Sequence, residues 1–294
     1  MKPISRRSAI STLTGTAAAM AAAATLDFRL RAAEQAVGSK LKGRVNHSVC
    51  KWCYPKMELE DLCKAAKEIG LQSIELLDLK ALPVLQKYDL VCAMVSGVPG
   101  GIPHGLNRLE NHDKIVAWME QSIPQIATAG APNVICFSGN RNGLDDEEGI
   151  KNCAIGLKRI MPMAEKHKVT VCMELLNSRV NHKDYMCDKS AWGVQLVKAV
   201  GSERFKLLYD IYHMQIMEGD LIATIKRDYE SFGHYHTAGV PGRNEIDNTQ
   251  EIYYPAVMEA IVSTGFKGFV AQEFVPKSED KLGSLKNAVK LCDV

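Results

Sequence analysis

Four apolar, strand-like segments in the second half of the chain each end in a side chain that can bind a metal ion or move a proton. In the clearest of them, Val169-Thr-Val-Cys-Met runs directly into the carboxylate of Glu174. Three later segments end in the same way, in Asp210, His236 and Glu273. A charged group at the end of a buried strand is costly unless it is paired or binds a metal. These four strand ends therefore predict one shared metal site.

The chemistry of these four side chains indicates which ion they would bind. Three carboxylates at short range raise one another's pKa, so they need a cation in order to stay ionised together. Oxygen-rich ligation with one imidazole suits Mn²⁺ or Mg²⁺. Separate explanations exist for each residue: Asp210 as a helix cap, His236 as a hydrogen-bonded core histidine, and the two glutamates as partners of Lys or Arg. One divalent ion accounts for all four at once.

The elements that position these side chains alternate between strand and helix from Gly43 onward. Short apolar runs predict strands at 45–49, 73–76, 90–95, 133–137, 169–174, 205–210, 233–236 and 268–274. Amphipathic segments predict helices at 58–69, 79–86, 111–129, 146–167, 190–200, 219–229, 255–264 and 278–291. Eight strands alternating with eight helices predict a single (β/α)8 barrel over residues 43–294.

The alternative to the barrel is a doubly wound open sheet. Such a sheet usually carries a glycine-rich phosphate loop after its first strand, and this chain has Cys50-Lys-Trp-Cys-Tyr-Pro there. The Cys-x-x-Cys spacing of Cys50 and Cys53 is typical of redox motifs, but it does not open a helix in a thioredoxin-like pattern. In a barrel the C-terminal strand ends share one mouth, which would bring the four candidate ligands together.

Several motifs around these residues carry a family resemblance. They are Met-Glu174-Leu-Leu-Asn, Asp210-Ile-Tyr-His213, His234-Tyr-His236-Thr-Ala-Gly-Val-Pro-Gly-Arg243-Asn-Glu245 and Gln-Glu273-Phe. Together they resemble the xylose isomerase-like barrels, and within these the hydroxypyruvate isomerases, with ketose 3-epimerases as cousins. The resemblance covers essentially the whole predicted barrel and is most specific over 238–255.

The resemblance implies a function and a set of roles. Glu174, Asp210, His236 and Glu273 would bind one divalent metal ion, and Glu174 and Glu273 would serve as the acid/base pair. The expected activity is a metal-dependent isomerase or epimerase that acts on a small hydroxy-carbonyl or sugar substrate through a metal-bound cis-enediolate. Two departures leave the subfamily open. Hydroxypyruvate isomerases often carry glutamine in place of His236, and ketose epimerases usually carry a glutamate in place of Val180.

Residues in the predicted mouth loops are candidates for substrate binding. We predict that His213 bonds a substrate hydroxyl and that Arg243 holds a carboxylate or sugar oxygens through its planar guanidinium. His104 and Trp52 are predicted to form part of the pocket wall. Two further residues stay undecided: Glu75, either a group of the site or a partner of Lys51, and His182, either functional or solvent-exposed.

Three other functions use the same fold. A lyase or hydratase acting on 3-keto-glycosides would keep the site and change the reaction. An apurinic endonuclease would need several metals and a basic groove. A sugar-binding barrel without catalysis would bind metal and ligand without turnover, and the intact Glu174/Glu273 pair argues against it.

The N-terminal segment differs from the rest of the chain. Ser5-Arg6-Arg7-Ser8-Ala9-Ile10 and the uncharged, Ala-rich run that follows predict a twin-arginine signal peptide and linker over 1–36, and thus export to the periplasm or beyond. This segment holds five basic and two acidic residues, so the net charge of +2 leaves about −1 for the remainder. A near-neutral body predicts no nucleic-acid or membrane partner for the mature form. A homo-oligomer stays open.

Overall fold

The computed structural model describes residues 41–294, so the predicted signal segment 1–36 lies outside the described residues. The described part contains seven strands: β1 Asn46–Cys50, β2 Ser73–Glu75, β3 Asn133–Cys136, β4 Thr170–Glu174, β5 Phe205–Asp210, β6 Phe232–Thr237 and β7 Phe269–Gln272. Its α-helices are α1 Leu59–Ile69, α2 Leu82–Gln86, α3 His112–Thr128, α4 Asp146–His167, α5 Ser190–Val200, α6 Ile211–Met217, α7 Leu221–Asp228, α8 Tyr254–Ser263 and α9 Lys281–Cys292.

All the strands are parallel and pair in the order β2-β1-β7-β6-β5-β4-β3. The gap between the two ends of this sheet is filled by the segment 90–95. On one side its Val91 and Met94 carbonyls accept hydrogen bonds from the N–H groups of Ile74 and Leu76. On the other side Val95 exchanges hydrogen bonds with the strand that contains Val134. The sheet therefore closes on itself, which confirms the predicted (β/α)8 barrel and excludes the doubly wound alternative.

The prediction of a regular strand at 90–95 is wrong in detail, because this segment forms only isolated bridges to its neighbours. Two side chains take the place of the missing ladder bonds. The Ala93 N–H donates to the Ser73 hydroxyl at 2.9 Å, and the Ala93 carbonyl accepts from the Asn133 amide at 2.8 Å. Since buried backbone groups must be paired, these polar side chains allow the barrel to close without a continuous ladder.

Local sequence explains where the helices begin and end. Helix α4 begins after Asp145, whose carboxylate accepts from the Glu147 N–H at 2.8 Å, and it carries acidic residues in its first turn. Helix α1 ends at Gly70, whose φ of 97° suits the left-handed C-terminal turn that glycine adopts without strain. Both helices begin and end within one residue of the predicted positions, which indicates that neighbouring residues in the sequence determine where they start and stop.

Helix α6 was not predicted. The sequence suggested a single helix after β5, at 219–229, whereas the structure has α6 and α7 in succession. The Asp210 carboxylate accepts from the His213 N–H at 3.0 Å and so caps the N-terminus of α6. The capping role that the sequence offered as an alternative explanation for Asp210 is therefore real, and it does not exclude a second role.

The barrel interior is filled by side chains from several strands. Met94, Ile135, Cys172 and Leu208 form a buried apolar cluster there. All nine cysteines of the chain lie in the described part, where each is buried and none forms a disulfide. Among the described helices, we find none that is both long enough and apolar enough to cross a membrane.

Candidate active site

The four predicted ligands meet at the C-terminal ends of four neighbouring strands. Glu174 and Asp210 end β4 and β5, His236 lies one residue before the end of β6, and Glu273 follows β7 directly. One ligand atom from each of the four lies within 4.8 Å of all the others. None of these residues is more than 5% exposed. The parallel sheet thus brings residues from four separate sequence segments into one cluster.

The contacts inside this quartet leave two buried atoms without a hydrogen-bond partner. His236 Nδ1 lies 2.6 Å from Glu273 Oε2 and 3.5 Å from Glu174 Oε1. Among the described residues, neither His236 Nδ1 nor Glu174 Oε1 has a partner in hydrogen-bond geometry. A buried polar atom without a partner is costly, and these two atoms lie only 3.5 Å apart. Three carboxylates and one imidazole are a donor set for a hard divalent ion, so the residues present fit such an ion.

The pKa shifts reflect this crowding. Burial raises the pKa of Glu174, and it raises the pKa of Asp210 to about 7 against the opposing influence of Arg243. Burial alone would also raise the pKa of Glu273, but Arg243 and His236 outweigh it and hold that pKa well below its ordinary value. Burial would lower the pKa of His236, yet the Glu273 carboxylate raises it well above the usual range. The cluster as a whole therefore attracts positive charge.

Arg243 supplies part of that charge. Its Nη2 donates to Glu273 Oε2 at 2.5 Å and to Asp210 Oδ2 at 3.1 Å. The guanidinium also lies 5.5 Å from the ring centre of Trp52, and the Trp52 indole N–H donates to Glu273 Oε1 at 2.8 Å. Both oxygens of Glu273 are thereby oriented by protein donors. Arg243 and Trp52 thus both lie beside the quartet, and their predicted roles toward a substrate stay predictions.

His213 also lies beside the quartet, but its surroundings differ from those expected for a substrate-binding group. The residue is fully buried. Its Nδ1 accepts from the Asn177 backbone N–H at 3.0 Å, and its Nε2 lies 2.5 Å from Arg243 Nη1. Both ring nitrogens therefore lie against protein groups, and His213 is not part of the lining of the cavity above the quartet.

A cavity of about 250 Å³ opens above the quartet. Its polar lining includes Glu174, Glu273 and Arg243, together with His182, which the sequence left undecided. Its remaining wall is mainly apolar: Trp52, Leu76, Ile102, Ile135, Phe137 and Leu176. Trp52 was predicted from the sequence as part of the pocket wall, whereas the other apolar residues were not, because they read as ordinary core or loop positions.

His104 is not brought into this site. It is exposed and lines a separate surface cavity with Glu110 and Lys114. The glycine- and proline-rich loop that carries it does reach the site cavity, but through Ser96 and Ile102 rather than through the histidine. The prediction that this loop reaches the pocket is correct, but the prediction that His104 forms part of the pocket wall is wrong.

Glu75 belongs beneath the site, and its partner is not Lys51. The ammonium of Lys51 donates to the Tyr54 carbonyl. Glu75 Oε1 instead lies 2.8 Å from His234 Nε2 and 2.9 Å from His236 Nε2. Burial would raise the pKa of Glu75, but these two histidines outweigh it and lower that pKa to about 2. The only sequence signal for this residue was its place at the end of β2.

A (β/α)8 barrel with an acid-rich ligand quartet at its C-terminal mouth is the class of protein that this fold and this site define. The model of the family described as xylose isomerase-like TIM barrel matches residues 63–289, which is most of the chain. The chain therefore belongs to the xylose isomerase-like TIM barrel family, and the resemblance predicted from the sequence motifs is confirmed.

Individual relatives agree with this assignment. The chain is 36% identical to the 2-oxo-tetronate isomerase of Cupriavidus necator over 115 residues, which cover 39% of this chain and 44% of that protein. It is 33% identical to the hydroxypyruvate isomerase of Escherichia coli over 112 residues, or 37% of this chain and 43% of that protein. Each match thus spans less than half the length of the relative.

A solved structure supports the fold along a greater length. The crystal structure described as AP endonuclease, family 2, from Brucella melitensis superimposes with a TM-score of 0.75 at 22% identity. The superposition covers 82% of this chain and 97% of that one. At this identity the likeness concerns the fold alone.

Proposed function

We propose that this protein is a divalent-metal-dependent isomerase or epimerase of a small hydroxy-carbonyl or sugar substrate. One observation carries the proposal: Glu174 and Glu273 belong to the ligand quartet and also line the cavity above it. Asp210 and His236 belong to the quartet but are not part of that lining. Two carboxylates that face both an ion and a substrate are placed to move protons as well as to bind metal.

The residues of the chain divide this work between them. When bound, Mn²⁺ or Mg²⁺ would polarise a substrate carbonyl and so acidify the hydrogen on the neighbouring carbon. One glutamate removes that proton to give an enediolate, and the other returns a proton to the neighbouring carbon or to the opposite face. Trp52 and Arg243 hold Glu273 in place through both of its oxygens. Each proton transfer contributes about 10²–10⁴-fold to the rate.

The cavity supports a small substrate. Its volume of about 250 Å³ suits a short hydroxy-carbonyl compound or a single sugar unit. Arg243 is a cation in its lining, and a guanidinium pairs well with a carboxylate. Relatives named for isomerases of hydroxypyruvate and of a 2-oxo-tetronate, which are both carboxylates, favour the same substrate class.

The test is solvent-deuterium incorporation. The full chain is stripped with a chelator, reloaded with Mn²⁺ and incubated in D₂O with hydroxypyruvate, a 2-oxo-tetronate, a panel of ketoses and a 3-keto-glucoside. We expect deuterium at the carbon next to the carbonyl of at least one substrate, and loss of incorporation in the stripped protein. A Glu174→Gln/Glu273→Gln double variant, purified identically, controls for contaminating enzymes.

Three outcomes would contradict the proposal. Equal incorporation by stripped and reloaded protein would remove the metal from the reaction. Release of the aglycone from the 3-keto-glucoside without isomerised product would indicate a lyase. Cleavage of an abasic-site DNA duplex by the Mn²⁺-loaded protein, without turnover of any sugar, would indicate an endonuclease.

A further inference from the structure

Beneath the ligand quartet, one buried carboxylate contacts two histidines from the far side of the barrel. Glu75 ends β2, whereas His234 and His236 lie on β6, and β1 and β7 separate these two strands in the sheet. The contact therefore crosses the barrel interior. All three residues are completely buried. His234 and His236 point to the same face of β6, because side chains alternate along a strand with a period of two.

The geometry of this contact fixes where the ring hydrogens lie. A single oxygen, Glu75 Oε1, meets both His234 Nε2 at 2.8 Å and His236 Nε2 at 2.9 Å. A hydrogen on that oxygen would serve only one of the two nitrogens. Donation from both Nε2–H groups to a carboxylate oxygen satisfies both contacts. A neutral His236 that carries its hydrogen on Nε2 has its lone pair on Nδ1.

In this neutral form, which a metal-binding histidine must adopt, the lone pair faces the quartet. His236 Nδ1 lies 2.6 Å from Glu273 Oε2 and 3.5 Å from Glu174 Oε1, on the side of the ring opposite to Glu75. A histidine that binds a metal usually donates its other ring N–H to a carboxylate or carbonyl, which fixes the tautomer and raises the basicity of the ligand atom. Glu75 is in the position to do this for His236.

We propose that Glu75 is a positioning residue that holds His236 in the Nε2–H tautomer and aims its Nδ1 at the divalent ion, thereby setting the affinity of the site for that ion. This inference rests on the metal site of the proposed function. Glu75 does not line the cavity above the quartet, so it acts through His236 rather than on a substrate.

The neighbouring groups leave this role to Glu75. Cys50 Sγ lies 3.9 Å from the same His236 Nε2, and a sulfur at that distance is a weak acceptor beside a carboxylate at 2.9 Å. His234 supplies the second hydrogen bond to Glu75 Oε1 and thus helps to hold the carboxylate in place. Without it, the buried charge of Glu75 would have one donor in place of two.

The experiment measures Mn²⁺ binding directly. The full chain is stripped with a chelator, and Mn²⁺ is titrated into it by calorimetry. Glu75→Gln removes the charge and places an amide beside the two rings, while Glu75→Asp keeps the charge and withdraws it by one methylene. We expect each variant to bind Mn²⁺ about 10–100-fold more weakly than the wild type, the range found for such supporting groups. If Glu75→Gln does not fold, Glu75→Asp carries the measurement.

Asp188→Asn is the matched control. Asp188 is also a buried carboxylate, but it pairs with Arg141 and with the Ser178 hydroxyl and is no member of the ligand quartet. Its replacement should lower the melting temperature in chelator and leave the Mn²⁺ affinity unchanged. This separates the loss of any buried charge from the loss of the one that contacts His236.

A second measurement reports the tautomer. With ¹⁵N-labelled histidine and Zn²⁺ as a diamagnetic probe ion, the wild type should show His236 protonated at Nε2, and Glu75→Gln should show a changed ¹⁵N pattern for this ring. Mn²⁺ affinities of both variants within about threefold of the wild type, or a wild-type His236 protonated at Nδ1, would overturn the inference while leaving the proposed function intact. A wild type that binds neither ion would overturn both.

Discussion

Glu174 and Glu273 have the same proposed role but very different surroundings, and this difference gives a sharp prediction. We consider Glu174→Gln and Glu273→Gln, which keep the side-chain shape and one oxygen while removing the basic group. If both residues move protons, each variant should lose about 10²–10⁴-fold in rate even at saturating Mn²⁺. This corresponds to about 2.7–5.4 kcal/mol in the activation free energy.

The stabilities of the two variants should differ even though their rates fall alike. Glu273 contacts the Arg243 guanidinium at 2.5 Å and accepts from the Trp52 indole at 2.8 Å. Its replacement breaks a buried ion pair and leaves Arg243 with Asp210 alone, at a cost of about 3 kcal/mol in the free energy of unfolding. Glu174 Oε1 has no hydrogen-bond partner among the described residues, so its replacement should change that free energy by less than about 1 kcal/mol.

The assay combines steady-state rates at increasing Mn²⁺ with urea unfolding in the presence of a chelator. Asp210→Asn serves as the control, since Asp210 belongs to the quartet but not to the cavity lining; excess Mn²⁺ should restore much of its rate. Recovery of both glutamate variants to near the wild-type rate at high Mn²⁺ would show that they bind metal only. Equal loss of stability in both variants would show that the described contacts of Glu273 are not what holds it.

Three further predictions concern other parts of the chain. We propose that residues 1–40 direct export, so that a reporter fused to them leaves the cytoplasm and Arg6→Lys with Arg7→Lys retains it; a reporter that stays inside with the native pair would refute this. Partial burial would raise the pKa of Glu245, but hydrogen bonds from two backbone N–H groups and a serine hydroxyl outweigh it and lower that pKa. The resulting stabilisation is present above the unfolded-state pKa and is lost as the pH falls through the folded-state pKa. Glu245→Gln should therefore destabilise the protein at pH 7, and this destabilisation should disappear as the pH falls below about 5. A pH-independent difference between variant and wild type in urea unfolding would contradict the prediction. Leu208→Ala, at a fully buried position in the barrel interior, should cost about 2–5 kcal/mol in the same assay, and a cost under about 1 kcal/mol would show that the interior collapses around the change.

The convergence of the four quartet residues could be predicted from sequence because each has a signal within its own strand. Glu174, Asp210 and Glu273 each follow directly on an apolar run, and the parallel topology then needs no further information to bring them together. The same reasoning failed at 90–95, where the run is apolar but the backbone forms only isolated bridges. Its hydrogen bonds go to the side chains of Ser73 and Asn133, and no feature of the segment itself specifies those partners.

The contact of Glu75 with the two histidines could not be predicted from the sequence, for a different reason. Sequence reasoning considered Lys51 as the partner of Glu75, because a cation in the loop after a neighbouring strand is the natural partner to expect for a carboxylate. The actual partners, His234 and His236, lie 159 and 161 residues away on a strand that does not pair with β2. They meet Glu75 only because the sheet closes and turns the inward faces of non-adjacent strands toward one another. In a closed barrel, the candidate ligands follow from the strand ends, whereas the residue that we propose to orient one of them follows from which side chains face each other across the interior. His234 illustrates the difference: from the sequence it was only part of the motif that contains His236, and its spacing of two along the strand acquires a meaning once Glu75 is found opposite both rings.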